Sequence, residues 1–208
     1  MHILGISCFY HDAAAAILRD GRLVAASEEE RFSRKKHDFD FPGLAIEFCL
    51  NKAGVEAADL DYVVFYEKPF LKFERILSTI LQTFPASRKV FQEAMINWFG
   101  DKLWVKGIIH KRVGVPLEKI LFVEHHMSHA ASAYFASPFE ESAILTVDGV
   151  GEWATTTMGH ARGNRITLER EQRFPHSLGL LYSAFTAYLG FEVNEGEYKV
   201  MGMAPYGE

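Results

Sequence analysis

Three histidines occur within five positions of residues 124–135, whose sequence is EHHMSHAASAYF. His125 and His129 are four residues apart, so a helix would place both imidazoles on one face, with Cβ atoms about 5–6 Å apart. Such a pair can supply two nitrogen ligands to one metal ion. His126 would lie about 100° around the helix from His125 and is not expected to join the same site. The alternative is that the histidines only cap or cover a helix.

Asp148 is the residue expected to complete a metal site with the two histidines. It follows an apolar strand and begins the segment 148–154, DGVGEWA, in which Gly149 and Gly151 permit a close backbone approach to an anion. Two imidazoles and one carboxylate suit Fe(II), Zn or Mn. The spacing H-x-x-x-H lacks the glutamate of the motif H-E-x-x-H, which argues against a metalloprotease. A metal here could also contact phosphate oxygens.

His11 and Asp12 form a second candidate site, in the turn after the first apolar strand. A histidine beside a carboxylate can act as a general base near neutral pH. The alternative is an acidic turn residue next to a surface histidine. Residues 28–42, EEERFSRKKHDFDFP, contain acidic residues and a basic group made of Arg31, Arg34, Lys35, Lys36 and His37. That group is either a solvated strand end or a cationic site for a phosphate or carboxylate.

Composition limits the functional classes. The chain has 208 residues, 49% of them hydrophobic, which is enough for one large domain or two small ones. The net charge of −5 argues against nucleic acid as the main partner. Two cysteines, Cys8 and Cys49, make no disulfide framework, and this favours a cytoplasmic protein with reduced thiols. No signal-peptide pattern and no apolar run of about 18 residues is present, so no membrane association is expected. The final residues, KVMGMAPYGE, suggest a fragment of a longer protein.

Periodic patterns predict a mixture of strands and helices. In the first part of the chain, the expected strands are residues 2–9, 13–20, 22–32, 60–69 and 119–124. Asp20-Gly21 is a hairpin signal between the second and third strands. Residues 70–112 are expected to be helical with a break at Pro85. The basic segment 102–114 is either an amphipathic surface or a patch for phosphate or RNA. Near the end, a helix is expected between Ser177 as N-cap and Gly190 as C-cap.

The second part of the chain repeats the pattern of the first. Residues 3–17 align with residues 144–158 without a gap, so that Ser7 coincides with Asp148. Both segments have the order of strand, polar turn and strand that begins a β-meander. A repeat about 140 residues apart is far longer than the ~20–50 residues of solenoid repeats, so it indicates two duplicated lobes.

Two lobes that each begin with a three-stranded meander are typical of the actin, sugar-kinase and heat-shock ATPase superfamily, an α/β fold. In that fold the first turn of each lobe holds phosphate through backbone N–H groups. We therefore expect a complete first lobe in residues 1–141, including the histidine-bearing helix, and the incomplete start of a second lobe in residues 142–208.

These motifs together resemble the N-terminal half of the O-carbamoyltransferases of the nodulation-protein-U and antibiotic-tailoring type. The segments that carry the resemblance are GISCFYHDAAAAIL, EEERFSRKKHDFDFP, EHHMSHAASAYFASPFEESAILTVDGVGEWATT, SLGLLYSAFTAYLGF and EGEYKVMGMAPYG. A more distant similarity is to the transferases that place threonylcarbamoyl on tRNA adenosine, which share the H-x-x-x-H helix and the two-lobed fold.

The resemblance implies carbamoyl transfer from carbamoyladenylate to a hydroxyl of a sugar or another small molecule. A separate adenylate-forming domain, absent from this chain and supplied in cis or in trans, would make carbamoyladenylate from carbamoyl phosphate and ATP, with Mg as its metal. A homodimer is a further expectation. Two other functions stay open: an ATPase or kinase of the same fold, and a nucleotide-binding remnant without catalysis.

The resemblance also implies residue roles. His125, His129 and Asp148 would be metal ligands, with iron as the metal and a further Asp ligand outside this chain. His11 would deprotonate the acceptor hydroxyl, with Asp12 beside it. Residues expected to approach the phosphate or the nucleotide are Gly149, Val150, Gly151, Lys199 and Gly202.

Overall fold

The computed structural model describes residues 1–100 and 102–207, except for the side chains of Val90 and Asn97. Contacts divide the chain into two compact units, Met1–Glu124 and His125–Glu208. The histidine-bearing helix belongs to the second unit, whereas it was predicted to lie in a first lobe that ends at residue 141. The physical reason is that this helix hydrogen-bonds to the strands that follow it.

The described part of the first unit contains a five-stranded sheet with the order β3-β2-β1-β4-β5. Its strands are β1 (His2–Ser7), β2 (Ala14–Arg19), β3 (Arg22–Glu28), β4 (Tyr62–Phe65) and β5 (Ile120–Phe122). The first three form an antiparallel meander, and β4 and β5 extend it in parallel from β1. Asp20 and Gly21 form the predicted hairpin turn, with φ angles of 49° and 78°.

Helices flank this sheet. They are α1 (Glu30–Ser33), α2 (Gly43–Ala53), α3 (Pro69–Gln82), α4 (Arg88–Gly100) and α5 (Val105–Val113). Residues of the sheet, α2 and α5 make the buried core, which includes Leu4, Ile17, Phe65, Ile109 and Ile120. Cys8 and Cys49 are buried free thiols. The basic residues of α5 are exposed while Val105, Ile109 and Val113 are buried, as an amphipathic surface helix requires.

The prediction that the third strand continues to residue 32 is wrong. Strand β3 ends at Glu28, and α1 follows. The cause is Glu29, whose buried carboxylate accepts hydrogen bonds from the backbone N–H groups of Leu44 and Ala45, at 3.1 and 2.8 Å. This carboxylate caps the first turn of α2. To reach that helix, the chain leaves the sheet after Glu28 and does not continue as a strand.

The second unit contains a three-stranded antiparallel sheet with the order β6-β7-β8 in its described residues. Its elements are β6 (Glu141–Val147), β7 (Ala154–Arg162), β8 (Arg165–Arg173), α6 (His125–Tyr134), α7 (Leu178–Tyr188) and α8 (Glu197–Met203). Ser177 is the N-cap of α7 as predicted, since its Oγ accepts from the N–H of Leu180 at 3.0 Å. The C-cap is Leu189, one residue before the predicted Gly190, which follows it with a φ of 83°.

The predicted repeat is confirmed in the hydrogen-bonding register. A shift of 141 residues converts pairs of β1 and β2 into pairs of β6 and β7: Ile3/Leu18 and Ile6/Ala15 become Ile144/Gly159 and Val147/Thr156. A register shift interrupts each meander at the corresponding place, after Ile17 in the first and after Met158 in the second. The α/β class and the meander that begins each predicted lobe are therefore present. Among the described residues, none of the helices has the length and apolar character of a membrane-spanning segment.

Candidate active site

Helix α6 begins at His125 and is capped by a buried glutamate. Both carboxylate oxygens of Glu152 lie 3.1 Å from the backbone nitrogen of His125, which donates to them. A negative charge at this end is favoured by the helix dipole. Glu152 belongs to the turn 148–153 between β6 and β7, so this contact ties the turn to the helix. Glu152 was not predicted as a site residue, although it directly follows Gly151.

The side chains of His125, His129 and Asp148 meet at one point. The Nε2 atom of His125 lies 2.7 Å from Oδ2 of Asp148 and 3.0 Å from Nε2 of His129. The distance from Nε2 of His129 to the same Asp148 oxygen is 3.7 Å. The His125 side chain is buried, whereas that of His129 is 51% exposed. A small ligand could therefore reach the cluster from the His129 side.

The carboxylate controls the electrostatics of this cluster. The hydrogen bond with His125, and then the nearby imidazole of His129, hold the pKa of Asp148 far below its usual range. The Asp148 carboxylate raises the pKa of His129 above its ordinary value, although burial acts in the opposite direction. The cluster therefore combines an ionised carboxylate with an imidazole that must be neutral before it can bind a metal.

The three donor atoms fit a transition-metal ion. Their separations of 2.7, 3.0 and 3.7 Å are all shorter than twice a metal–ligand bond of about 2.0–2.2 Å, so one cation could contact all three. Two imidazole nitrogens and one carboxylate oxygen are a set that Fe(II), Zn and Mn accept, with positions left for further ligands. Which of these ions binds, if any, stays a prediction.

His126 has a structural role in the same helix. Its Nε2 lies 2.9 Å from the carbonyl oxygen of Ala154, which can only accept, so Nε2 carries the proton. Its Nδ1 then accepts from the hydroxyl of Thr146 at 2.6 Å, and Thr146 in turn contacts Thr157. Burial lowers the pKa of His126. The neutral ring thus joins α6 to β6 and β7, separate from the ligand pair, as its helical position predicted.

The glycines of the turn 148–153 make internal contacts. The N–H of Gly149 donates to Oδ1 of Asp148 at 2.7 Å, and that of Gly151 donates to the carbonyl of Ala154 at 2.9 Å. A phosphate would compete with these acceptors. Space at Gly151 is also tight, because a Cβ there would lie 3.1 Å from the Cβ of His125. Phosphate binding by Gly149, Val150 and Gly151 stays a prediction.

The start of α7 fixes the same turn from a second helix. The Oγ atom of Ser177 donates to the carbonyl of Gly149 at 2.7 Å. A Cβ on Gly179 would lie 2.6 Å from the backbone nitrogen of Gly149, which leaves room only for glycine. Helices α6 and α7 therefore both restrain the backbone that carries Asp148.

Lys199 and Gly202 lie on the exposed helix α8. The ammonium of Lys199 lies 5.8 Å from the ring centroid of Tyr198, and Gly202 borders open space. Helix α8 is attached to α7 through Glu197, whose carboxylate accepts from Ser183 and whose carbonyl accepts from Tyr182. Nucleotide binding by Lys199 and Gly202 stays a prediction.

In the first unit, the predicted pair of His11 and Asp12 makes two separate contacts. Oδ1 of Asp12 lies 3.0 Å from Nδ1 of His37. The His11 ring packs edge-to-face on Tyr10, with ring centroids 4.0 Å apart. His37 was assigned from sequence to the basic group, and its contact with Asp12 was missed. Asp12, His37 and Glu30 also offer three ligand atoms within 4.8 Å of one another, but this group is more exposed than the histidine cluster.

Backbone hydrogen bonds bring these distant segments together. The N–H groups of Phe9 and Ala13 donate to the carbonyls of Phe39 and Asp38, at 2.7 and 2.6 Å. The turn 8–13 is thereby pinned at both ends to the segment that follows His37. Of the other basic residues, Lys35 contacts the carboxylates of Asp40 and Asp38, and Arg31 contacts Glu28. These two cations are thus partly neutralised within the unit.

The family model described as the carbamoyltransferase N-terminus matches residues 2–208. An uncharacterized protein of Synechocystis sp., sll1178, is 55% identical over 214 residues, which is 100% of this chain and 35% of that protein. Nodulation protein NolNO of Sinorhizobium fredii is 39% identical over 96% of this chain and 28% of its own length. Nodulation protein U of the same species is 28% identical over 91% of this chain and 34% of its own length. The chain spans about a third of these relatives.

Solved structures with a related fold were also found. Component A of (R)-2-hydroxyglutaryl-CoA dehydratase from Acidaminococcus fermentans has a TM-score of 0.48 at 13% identity, covering 100% of this chain and 70% of that chain. The ROK hexokinase of Thermus thermophilus has a TM-score of 0.40 at 18% identity, covering 85% and 50%. Because both TM-scores are below 0.5, no statement about function rests on them.

Proposed function

The chain belongs to the carbamoyltransferase N-terminus family, and we propose that it is part of an enzyme that moves a carbamoyl group from carbamoyladenylate to a hydroxyl group of a small molecule or sugar. The observation that carries the proposal is the match of that family model along residues 2–208. The relatives named nodulation protein U and NolNO support the same general activity. Carbamoyladenylate would come from carbamoyl phosphate and ATP in a domain outside this chain.

The second unit would hold a divalent metal ion through His125, His129 and Asp148. When bound, that ion would act as a Lewis acid and offset the negative charge of the departing phosphate. The residues around it keep the ligand atoms in place: Glu152 fixes the first turn of α6, and Gly179 admits α7 against the Asp148–Gly149 peptide. This part of the proposal is supported by the close approach of the three donor atoms, which lie on a helix and a turn that neighbouring residues hold in place.

The first unit would supply the base. An acceptor hydroxyl oxygen forms a bond to the carbamoyl carbon, and the bond from that carbon to the phosphate oxygen of AMP breaks. AMP leaves with the electron pair, and the hydroxyl proton passes to the imidazole of His11. His11 supports this role because its ring is exposed and rests on Tyr10, while the adjacent Asp12 is held by His37.

A labelling experiment on the full-length protein tests the reaction. The protein is incubated with carbamoyl phosphate carrying a labelled carbon, ATP and a panel of hydroxylated acceptors. We expect AMP release that depends on carbamoyl phosphate, and transfer of the label to an acceptor. His11→Gln should keep the formation of carbamoyladenylate and lose the transfer. Release of ADP without carbamoyl phosphate would support an ATPase or kinase instead, and nucleotide binding without either product would indicate a remnant.

A further inference from the structure

A buried ion pair lies next to the turn that carries His11. The ammonium of Lys72 on α3 is 2.7 Å from Oε2 of Glu67, which follows strand β4, and each side chain is only 9% exposed. Charged groups are seldom buried, because the loss of hydration offsets much of their attraction. Such a pair therefore calls for an explanation beyond stability, and the proposed reaction does not use it.

The ammonium of Lys72 has a second contact, with an aromatic ring. It lies 4.3 Å from the centroid of the Tyr10 ring. A cation over an aromatic face is attracted by the negative charge of that face, and the attraction is stronger where water is excluded. Lys72 is buried and Tyr10 is 48% exposed as a whole residue, so a buried cation contacts a ring that is about half in solvent.

Tyr10 passes this restraint to His11. The two rings meet edge-to-face, with centroids 4.0 Å apart and an interplanar angle of 66°. An exposed imidazole on a turn can adopt several rotamers, and only some of them aim a nitrogen at a substrate. The backbone bonds of Phe9 and Ala13 fix the ends of the turn but leave the direction of this ring to side-chain contacts.

We propose that Lys72 is a positioning residue for His11: Glu67 holds its ammonium, the ammonium holds the Tyr10 ring, and that ring sets the orientation of the imidazole. The inference rests on the proposed function, in which His11 accepts the proton of the acceptor hydroxyl. Lys72 does not touch the reacting atoms, so its effect should appear in the rate of transfer and not in the binding of the acceptor.

Variants of Tyr10 test the middle of this chain of contacts in the full-length protein. Tyr10→Phe keeps the ring and should give a kcat for carbamoyl transfer within about twofold of the original. Tyr10→Leu removes the ring and should lower kcat by about 10- to 100-fold with KM unchanged, since small misplacements of a reacting group have effects of this size. Equal kcat values for the Leu and Phe variants would overturn the proposal.

Neutralising the buried ion pair of Glu67 and Lys72 tests the first contact in this series. The double variant Glu67→Gln with Lys72→Met removes both charges of the pair at once, and it should fold while losing kcat to a similar extent. The matched control is Lys68→Met, which removes an exposed ion pair with Glu124 next to the same helix and should keep the original kcat. A folded double variant with the original kcat would show that the pair only stabilises the unit, and would refute the inference.

A spectroscopic readout separates this inference from the proposed function. In protein labelled at histidine, the ring protons of His11, assigned with His11→Gln, should be shifted by the Tyr10 ring current. The shift should persist in Tyr10→Phe and change in both Tyr10→Leu and the double variant. This result would support the positioning contacts even if no carbamoyl transfer were found, whereas unchanged His11 signals in the double variant would refute them.

Discussion

The turns 8–13 and 148–153 occupy equivalent places in two meanders whose first two strands pair in the same register, yet the surroundings of the two turns differ. The second turn contributes a metal-ligand candidate itself, Asp148, and two helices press on its backbone. The first turn places its polar side chains, His11 and Asp12, on the surface. His11 packs on the neighbouring Tyr10 ring, and Asp12 contacts His37 from another segment of the unit. The comparison teaches that the strand frame sets where the turns lie, while the packing around each turn decides what it can do.

The largest effect is expected from breaking the second turn's cluster. His129→Ala should weaken metal binding more than about 100-fold, because even the loss of groups that only orient a ligand costs 10- to 100-fold. Metal analysis of the purified full-length protein measures this. His160→Ala is the matched control, since His160 is an exposed histidine of the same unit that pairs with Glu169. A His129→Ala protein that keeps a full equivalent of tightly bound metal would contradict the site.

Gly179→Ala tests whether packing holds the second turn. The added Cβ would meet the backbone of the Asp148–Gly149 peptide, and backbone atoms cannot give way as a flexible side chain can. We expect the free energy of unfolding to fall by about 1–3 kcal/mol, despite the higher helix propensity of alanine. Urea denaturation measures this. Gly202→Ala, where a Cβ meets open space in α8, should be neutral or stabilising, and equal losses in both variants would argue against the packing explanation.

The pH dependence of metal binding tests the electrostatic effect of Asp148 on His129 in the second turn's cluster. Metal and proton compete for His129, whose pKa is raised by Asp148, so affinity should rise with pH until the pH passes that raised value and then level off. Asp148 stays ionised over the same range because its pKa is lowered, and it adds no slope. Titrations between about pH 5.5 and pH 8 should show up to about a tenfold change per unit for each proton displaced. An affinity independent of pH would contradict this prediction.

The smallest effect is expected at the first turn. Asp12 and His37 are each nearly half exposed, and ion pairs between exposed groups contribute at most about 1 kcal/mol. A double-mutant cycle with Asp12→Asn and His37→Gln should therefore give a coupling energy below about 1 kcal/mol in the free energy of unfolding. A much larger coupling would mean that the first turn depends on packing as strongly as the second.

Much of the fold was predictable because it depends on local patterns. The strands, the turn at Asp20 and Gly21, the N-cap Ser177 and the repeat all follow from periodicity and turn chemistry. The meeting of His125 and His129 on one face also follows from helical spacing. The end of β3 could not be predicted in this way, because it depends on the distant N–H groups of α2 that Glu29 caps.

The contacts that support the candidate sites were the least predictable. Glu152 contacts the start of α6 from the turn between β6 and β7. His37 contacts Asp12 where the N–H of Phe9 also donates to the carbonyl of Phe39. These contacts join residues that are far apart in the chain and carry no shared period. A sequence pattern can therefore indicate candidate ligands and bases, while the residues that orient them emerge from the tertiary structure.

The hairpin of β7 and β8 is longer than that of β2 and β3, and its extra residues show where this sheet can accept an insertion. The hairpin of β7 and β8 has two residue pairs at its end, Ala161/Ile166 and Arg162/Arg165, that have no counterpart in the hairpin of β2 and β3. All of that length lies at the tip, at the end of the strands away from the turn 148–153. Gly163 there has a φ of 58° and borders open space. For protein engineering, this tip is the place to insert an affinity tag or a fluorescent reporter without moving Asp148.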